Sequence, residues 1–483
     1  MRIFIYVLIA IVLINTILSI FVVMRTPRDI AATWAWLLVL ILLPVVGLTL
    51  YMFFGRGMSK TKISRIQDSY SQGISNALDR QKALITKKSH KFPADIEQLV
   101  NLFFSLNASP VLTSEKPQIF TKSKDFFDEL FELIDGAEES IYVEFYTIYA
   151  DKVGHKFRDA LIKKVQQGVK VYVIYDGWGS MGVFRHFWLP LRKAGGNVEL
   201  FFSSRYVITD FRLNYRNHRK IVVVDEKVGL IGGFNIGDQY LGLKKKFGNW
   251  RDTHILVEGE AVRALTVRFI MDYNATVDRK KWLEYPQIIS THEIANPISR
   301  SNTYMQLVTS GPDERIDQIE MGLIKLVSTA KKRIWLQTPY LVPSDSFSDA
   351  LVSAAKSGID VRIMIPSFPD HPFIYRATQY YAKYFYDIGV KIYIYNNGFL
   401  HAKTSIFDDM VSTIGSANID IRSFKLNFEA TEFIYGEKFN DELAKTFLDD
   451  IKECTELNDE VINNQSGWEH FKQDFSRLLS PIL

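Results

Sequence analysis

The chain has 483 residues, 47% hydrophobic and 13% aromatic, which is material for two domain-sized cores. A formal net charge of +4 over that length does not mark a nucleic-acid binder, although it is compatible with anionic lipid headgroups. The lone Cys454 excludes an intrachain disulfide and reads as structural or incidental, and the nine histidines contain no zinc-finger or His-Glu-x-x-His spacing, so nothing asks for a metal.

Two apolar runs come first. Ile3–Met24 holds 22 residues without a charge and Ala32–Phe54 another 23, each enough for a membrane-crossing helix at ~20 residues. Pro44 and Gly47 are tolerated in such helices. A cleaved signal peptide is the competing reading of the first run, but its apolar core is too long and no clear Ala-x-Ala site follows. Residues 1–56 are therefore expected to form a two-helix transmembrane hairpin. Arg2, Arg56, Lys60, Lys62 and Arg65 outnumber Arg25 and Arg28 of its loop, which favours a cytoplasmic location for the portion that follows the hairpin. Residues 57–116 follow as a juxtamembrane linker and helix. Its basic stretch, ending in Lys87, Lys88 and Lys91, is either solvated or held against anionic headgroups, at ~1 kcal/mol per basic residue near the surface.

From residue 117 the pattern alternates. Lys124–Gly136 and Phe157–Gly168 have helical apolar spacing, while Ser140–Tyr146 and Val169–Asp176 read as strands. The plan recurs as helix Asp317–Ala330, strand Arg333–Thr338, helix Phe347–Gly358 and strand Ile359–Pro366. Phe157-Arg158-Asp159-Ala160-Leu161 matches Phe347-Ser348-Asp349-Ala350-Leu351 at an offset of 190. This predicts an α/β fold of two sandwich halves, residues 117–285 and 304–483, joined by a linker at 286–303. Phe439–Cys454 and Trp468–Leu479 read as closing amphipathic helices. An insertion at Ser203–Tyr215, with Arg205, Tyr206, Phe211 and Arg212, is either a plain surface loop or a lipid-contacting lid.

Inside the repeat, two stretches share one pattern. His218-Arg219-Lys220, four residues and Asp225 are followed by Gly232-Gly233-Phe234-Asn235; His401-Ala402-Lys403, four residues and Asp408 are followed by Gly415-Ser416-Ala417-Asn418, all at an offset of 183. One such string arises by chance on the order of once in ten million starting points, so two at one offset are no accident. In a strand, His218 and Lys220 would share a face, as would His401 and Lys403. Two imidazoles, two ammonium groups and the amides of Asn235 and Asn418 suit a phosphodiester: one His attacks phosphorus, the other protonates the leaving oxygen, and the remaining donors hold the non-bridging oxygens. Asp225 and Asp408 lie seven residues beyond each His, off its strand face, and a turn-building role suffices for them.

The duplicated motif resembles the phospholipase D superfamily. Asn214-Tyr215-Arg216-Asn217-His218-Arg219-Lys220 and Phe399-Leu400-His401-Ala402-Lys403 are similar to membrane-anchored bacterial cardiolipin synthases, and the likeness covers almost the whole chain. It implies phospholipase D-like halves packed about a pseudo-twofold axis with both motifs in one cleft. It also implies a bacterial plasma-membrane location, phosphatidylglycerol as substrate and no cofactor, with a phosphatidyl group passing through a histidine to a second phosphatidylglycerol and glycerol released. Family precedent leans toward His218 as nucleophile and His401 as its acid-base partner, with the roles exchangeable. The family pattern includes Asp225 and Asp408 as supporting partners, and it supplies Glu429 and Asp252 as acceptors that fix an imidazole tautomer. One departure is Gly233, where the second half has Ser416, so the halves are not equivalent. The rivals are a membrane-anchored phospholipase D using water, which motif residues do not separate from a transferase, a nuclease, and a non-catalytic lipid-binding scaffold. Two apolar runs and the near-neutral charge disfavour the nuclease, and two intact motifs disfavour the scaffold.

Overall fold

The computed structural model describes residues 30–51, 63–68, 92–183, 185–202, 215–285 and 303–480, with isolated positions before residue 22 and at 55. Most of Ile3–Met24, most of the insertion and the linker at 286–302 lie outside the described residues. The chain separates into two compact units, residues 1–64 with 203–215, and residues 65–202 with 216–483.

In the first unit, helix Ile30–Leu42 is followed across Leu43 by helix Pro44–Leu50. Pro44 has no N–H to continue the ladder and interrupts the helix, although Leu43 N–H still bonds Val39 O at 3.0 Å. Leu40 and Tyr51 are buried with Trp36 and Leu37 against them, whereas Trp34, Leu38, Leu42 and Val46 are exposed. Where one span over Ala32–Phe54 is expected, the described part is two shorter helices. No helix among the described residues is long and apolar enough to cross a membrane.

The second unit carries the repeat. Its strands are β1 (Leu112–Ser114), β2 (Gln118–Phe120), β3 (Ser140–Phe145), β4 (Lys170–Tyr175), β5 (Asn197–Leu200), β6 (Arg216–Asn217), β7 (Ile221–Val224), β8 (Val228–Gly232), β9 (Trp250–Arg251) and β10 (His254–Glu258). They continue with β11 (Thr303–Ser310), β12 (Arg333–Gln337), β13 (Leu341–Val342), β14 (Asp360–Pro366), β15 (Lys391–Tyr395), β16 (Phe399–Leu400), β17 (Thr404–Phe407), β18 (Val411–Gly415), β19 (Ile419–Asp420), β20 (Asn427–Tyr435) and β21 (Cys454–Glu456). One sheet runs β2-β10-β8-β7-β3-β4-β5; the other repeats that order as β11-β20-β18-β17-β12-β14-β15, with β1 and β21 added at its edges. In each, the strands joined through helices pair in parallel (β3-β4-β5 and β12-β14-β15), and the hairpin strands carrying the motif pair antiparallel.

Apolar runs set the layers. Every residue of β3 is buried, as a strand covered on both faces requires. Phe126, Leu130, Phe157, Leu161 and Trp188 of three helices share a core with Val143, Val173 and Val222 of the first sheet. In the second half, Leu323, Leu326, Phe347 and Leu351 bury against Ile334, Ile363 and Phe433, and helix Ala94–Asn107 joins that core through Leu99 and Phe103. The helix expected within residues 57–116 thus packs with the second sheet, where β1 also pairs β11.

Candidate active site

The sequence places each His-x-Lys on a strand face; the structure places it just before one. His218–Lys220 connects β6 to β7, and His401–Lys403 connects β16 to β17. The two-residue strands that precede them cross to the opposite half: β6 pairs in parallel with β20, and β16 with β9. His218 N–H bonds Phe428 O at 2.9 Å, and His401 N–H bonds Arg251 O at 2.7 Å. Each His therefore lies beside the residue after its partner strand's bonded carbonyl, and in both cases that residue is an acid. His218 Nδ1 is 2.9 and 3.0 Å from the two oxygens of Glu429, and His401 Nδ1 is 2.6 Å from Asp252 Oδ2. The exchange is reciprocal, as a twofold relation demands.

Both lysines are buried and fold back, Lys220 Nζ donating to the His218 carbonyl and Lys403 Nζ to that of His401. Burial pushes both imidazoles down to about 4, helped at His401 by the charge on Lys403 and opposed by the facing carboxylates. Burial also depresses Lys220, and it brings Lys403 to about 8. Burial raises Asp252, but the charges of Lys403 and His401 outweigh it and hold the carboxyl at about 2; Glu429 is likewise net lowered, by His218 and Lys220. The resting site thus has neutral imidazoles with ionised carboxylates on Nδ1. At His218 the tautomer is unambiguous: Nδ1–H donates to Glu429, leaving the lone pair on Nε2. His401 Nδ1 has Lys403 Nζ at 2.7 Å as well as Asp252, so its proton is contested.

The Gly233 and Ser416 positions divide for a physical reason. Ser416 Oγ donates to Glu429 Oε2. At Gly233 a Cβ would stand 1.9 Å from Asp252 Oδ1, so a serine has no room, and Asp252 instead accepts Thr253 N–H at 2.8 Å. Asn235 Oδ1 accepts Thr147 N–H at 3.1 Å, and Asn418 Nδ2 donates to Asp420 at 3.0 Å.

Asp225 and Asp408 sit in turns, as their spacing from each histidine suggests, and away from the imidazoles that the family pattern would have them support. They lie beyond the far ends of β7 and β17, in the left-handed backbone region with φ of 53° and 49°. Asp225 accepts the backbone N–H groups of Glu138, Glu139 and Ser140 at 2.7 to 2.9 Å, and Asp408 those of Lys331, Lys332 and Arg333 at 2.7 to 3.1 Å. They brace the entries to β3 and β12, which accounts for the aspartate in both repeats.

Other residues around the site were not anticipated. Arg219, the middle residue of the first motif, pairs with Asp272 at 2.7 Å and donates to Glu429 O at 3.1 Å. Arg251 forks onto Asp450 at 2.6 to 3.0 Å. Tyr146 stands edge-on to His218 with centroids 4.9 Å apart, and Trp250 lies 5.1 Å from His401. Glu144 accepts Asn217 Nδ2, and Gln337 accepts Thr404 Oγ1 at 2.8 Å. A polar residue near the end of an otherwise apolar strand, as in Ser140–Phe145 and Arg333–Gln337, is the signal that marks these two.

Known proteins resemble the chain over nearly its whole length. Residues 130–269 and 323–451 match the family described as cardiolipin synthase, PLD-like domain, and residues 5–56 match the phospholipase D-nuclease N-terminal family. A cardiolipin synthase of Listeria welshimeri is 41% identical over 482 residues, covering 99% of each chain, and the major cardiolipin synthase of Bacillus subtilis is 41% identical over 475 residues, covering 98% of each. In fold, the chain is similar to a phosphatidylserine synthase of Haemophilus influenzae, with a TM-score of 0.61 at 16% identity over 80% of this chain and 100% of that one. With its strand order duplicated and its two histidines set against the opposite half's acids, the chain belongs to the cardiolipin synthase family, phosphatidyltransferases built on the phospholipase D-like fold.

Proposed function

We propose that the chain joins two phosphatidylglycerol molecules into cardiolipin and glycerol through a phosphatidyl-histidine. The observation that carries this is the pair of buried imidazoles, each with a carboxylate of the opposite half on Nδ1. His401 takes up one proton from solvent as lipid binds. His218 Nε2 then attacks phosphorus of the first lipid, the bond from phosphorus to the glycerol oxygen breaks, and the His401 imidazolium delivers its proton to that oxygen. The terminal hydroxyl of the second lipid then attacks phosphorus, the P–N bond breaks, and the hydroxyl proton returns to His401. Attack places positive charge on His218, where Glu429 opposes it with two oxygens, while the contested Nδ1 of His401 suits a group that exchanges a proton. That asymmetry supports His218 as nucleophile. The phosphodiester's own charge raises the proton affinity of His401 when lipid binds. Lys220 and Lys403 stabilise the non-bridging oxygens, with Asn235 and Asn418 at the ends of the return strands.

No step consumes a nucleotide or calls for a metal, since one phosphodiester replaces another. The apolar runs at Ile3–Met24 and Ala32–Phe54 are read as two spans of a bacterial plasma membrane, the second kinked at Pro44, with the catalytic unit cytoplasmic. A cysteine introduced at Lys60, after replacement of Cys454, is expected to resist a membrane-impermeant thiol reagent in intact cells; ready labelling reverses the topology.

The direct test is the purified full chain with phosphatidylglycerol, excess chelator and no nucleotide, its products separated by lipid chromatography. Equal amounts of cardiolipin and glycerol are expected. Phosphatidic acid in place of cardiolipin would make water the acceptor and overturn the transferase reading.

A further inference from the structure

The last helix, Gly467–Leu478, is folded with its amphipathicity inverted. Gln473 and Ser476 are the buried residues, and Gln473 donates to Gln465 at 2.9 Å and to Gln379 of helix Pro372–Asp387 at 3.4 Å. The apolar side chains point outward: Trp468 is 65% exposed, Phe471 55%, Phe475 47% and Leu478 71%. Their spacing of three, four and three residues puts them on one face, and the aromatic rings stack along it, Trp468 on Phe471 at 5.2 Å and Phe471 on Phe475 at 6.4 Å. A contiguous apolar face turned to solvent costs free energy unless something covers it.

Helix Pro372–Asp387, against which the last helix packs, starts close to a residue that acts on the candidate active site. Asp370, whose carboxylate accepts the Tyr340 hydroxyl and acts electrostatically on His401 and Lys403, lies two residues before helix Pro372–Asp387. Phe373 in that helix's first turn is also exposed, and Arg376 in the next pairs with Glu469 at 3.9 Å, beside Trp468. At the other end of the stripe Arg477 lies over the Tyr380 ring at 5.0 Å. Tryptophan and phenylalanine on one face with arginine at its edge match a headgroup–acyl boundary, where the rings enter the apolar layer and the cations meet anionic phosphate.

We infer that the Trp468-Phe471-Phe475-Leu478 face docks in the surface of an anionic phospholipid bilayer, giving the catalytic unit a membrane contact of its own. The inference rests on the reading of the substrate as a membrane lipid, since that reading brings the catalytic unit to a bilayer. The full chain carrying Cys454→Ser and either Phe471→Cys or Phe475→Cys is labelled with an environment-sensitive fluorophore. It is then reconstituted in vesicles of phosphatidylglycerol and phosphatidylethanolamine containing nitroxide-labelled phospholipid. Fluorescence at positions 471 and 475 is expected to fall at least about twofold with nitroxide lipid and to resist aqueous iodide, with Asp474→Cys at the edge quenched less by the lipid. Quenching by iodide without quenching by nitroxide would overturn the inference. Shielding from both quenchers would also overturn it, because protein, either a second copy or another segment of this chain, would then cover the face. Cardiolipin formation by the same labelled samples is scored separately: product without nitroxide quenching sinks this inference alone, and quenching without product sinks the transferase reading alone.

Discussion

Replacing Glu429 by glutamine keeps the side chain's shape and removes its charge, so it isolates what the carboxylate does for His218. Both oxygens lie within 3.0 Å of Nδ1 and the group is fully buried. A unit charge pair at about 3 Å is worth about 5.5 kcal/mol at an effective dielectric of ~20. The amide oxygen still accepts one hydrogen bond, recovering about 1 kcal/mol. The imidazolium that develops when His218 attacks phosphorus therefore loses about 4–5 kcal/mol, which at about 1.36 kcal/mol per decade is about a thousandfold or more in rate. The assay is rapid acid quench of enzyme with labelled phosphatidylglycerol, with phosphohistidine mapped by peptide mass analysis, so that formation and breakdown of the intermediate are timed separately. Glu429→Gln is expected to slow formation; Ser416→Ala, which removes one donor to the same carboxylate, should slow it less. A folded Glu429→Gln protein within tenfold of the parent rate would refute the argument. Intermediate on His401 with none on His218 would exchange the two roles while leaving the two-histidine reaction standing.

Gly233→Ser is expected to abolish activity, because the new Cβ would fall on Asp252 Oδ1, and cardiolipin assay with a melting scan separates lost support of His401 from lost fold. Asp225→Ala and Asp408→Ala should each lower stability by about 2–3 kcal/mol, each removing a charged acceptor of three backbone N–H groups, while turnover per folded molecule stays near the parent's; a loss above tenfold with unchanged melting would return both to the catalytic machinery. Lys403 titrates at about 8 and acts as an ammonium, so kcat, read with His401 protonated in the lipid complex, should fall as pH rises through about 8. By contrast kcat/KM, which reads the free enzyme with His218 and His401 both held down to about 4, should already fall at lower pH. A kcat profile flat to pH 10 would remove Lys403 from charge stabilisation.

The parts of the molecule readable in the amino-acid sequence are those set by local pattern. Largely apolar stretches became β3, β4, β12 and β14, strands of five to seven residues, within a residue or two of their expected ends. Helices start ahead of their apolar periodicity where a polar cap does the starting: Lys152–Gln166 begins five residues before Phe157, because Asp151 accepts Gly154 N–H, and Asp345–Lys356 begins behind Ser344, which accepts Phe347 N–H. The interruption at Leu43 follows from Pro44, whose tolerance in membrane helices argued for a continuous run. Periodicity could not place His218 or His401, since each precedes its strand and is positioned by a two-residue pairing with the opposite half. Nor could it assign Glu429 to His218 rather than His401, because that depends on which strand crosses to which sheet.

Those two crossings deserve a physical account, since a pair of residues is too short to hold a register by ladder bonds alone. A slip of one residue would turn each imidazole away from its acid. A buried arginine fixes each crossing. At the first, Arg219 follows the histidine, bonds Glu429 O at 3.1 Å and is anchored on Asp272, which Arg268 also grips at 2.7 Å. At the second, the arginine sits on the acid's strand: Arg251 precedes Asp252, bonds its carbonyl, and forks onto Asp450, which also accepts Gln337 Nε2 at 2.8 Å. Breaking one partner of such a buried pair typically costs about 3–5 kcal/mol, several times a surface bridge. The arginine at the middle of one motif and alanine at the middle of the other is therefore no irregularity in the repeat. Each crossing carries one clamp, placed on the histidine strand in one case and the acid strand in the other, and the two together hold both imidazoles on carboxylates that neither half could supply to itself.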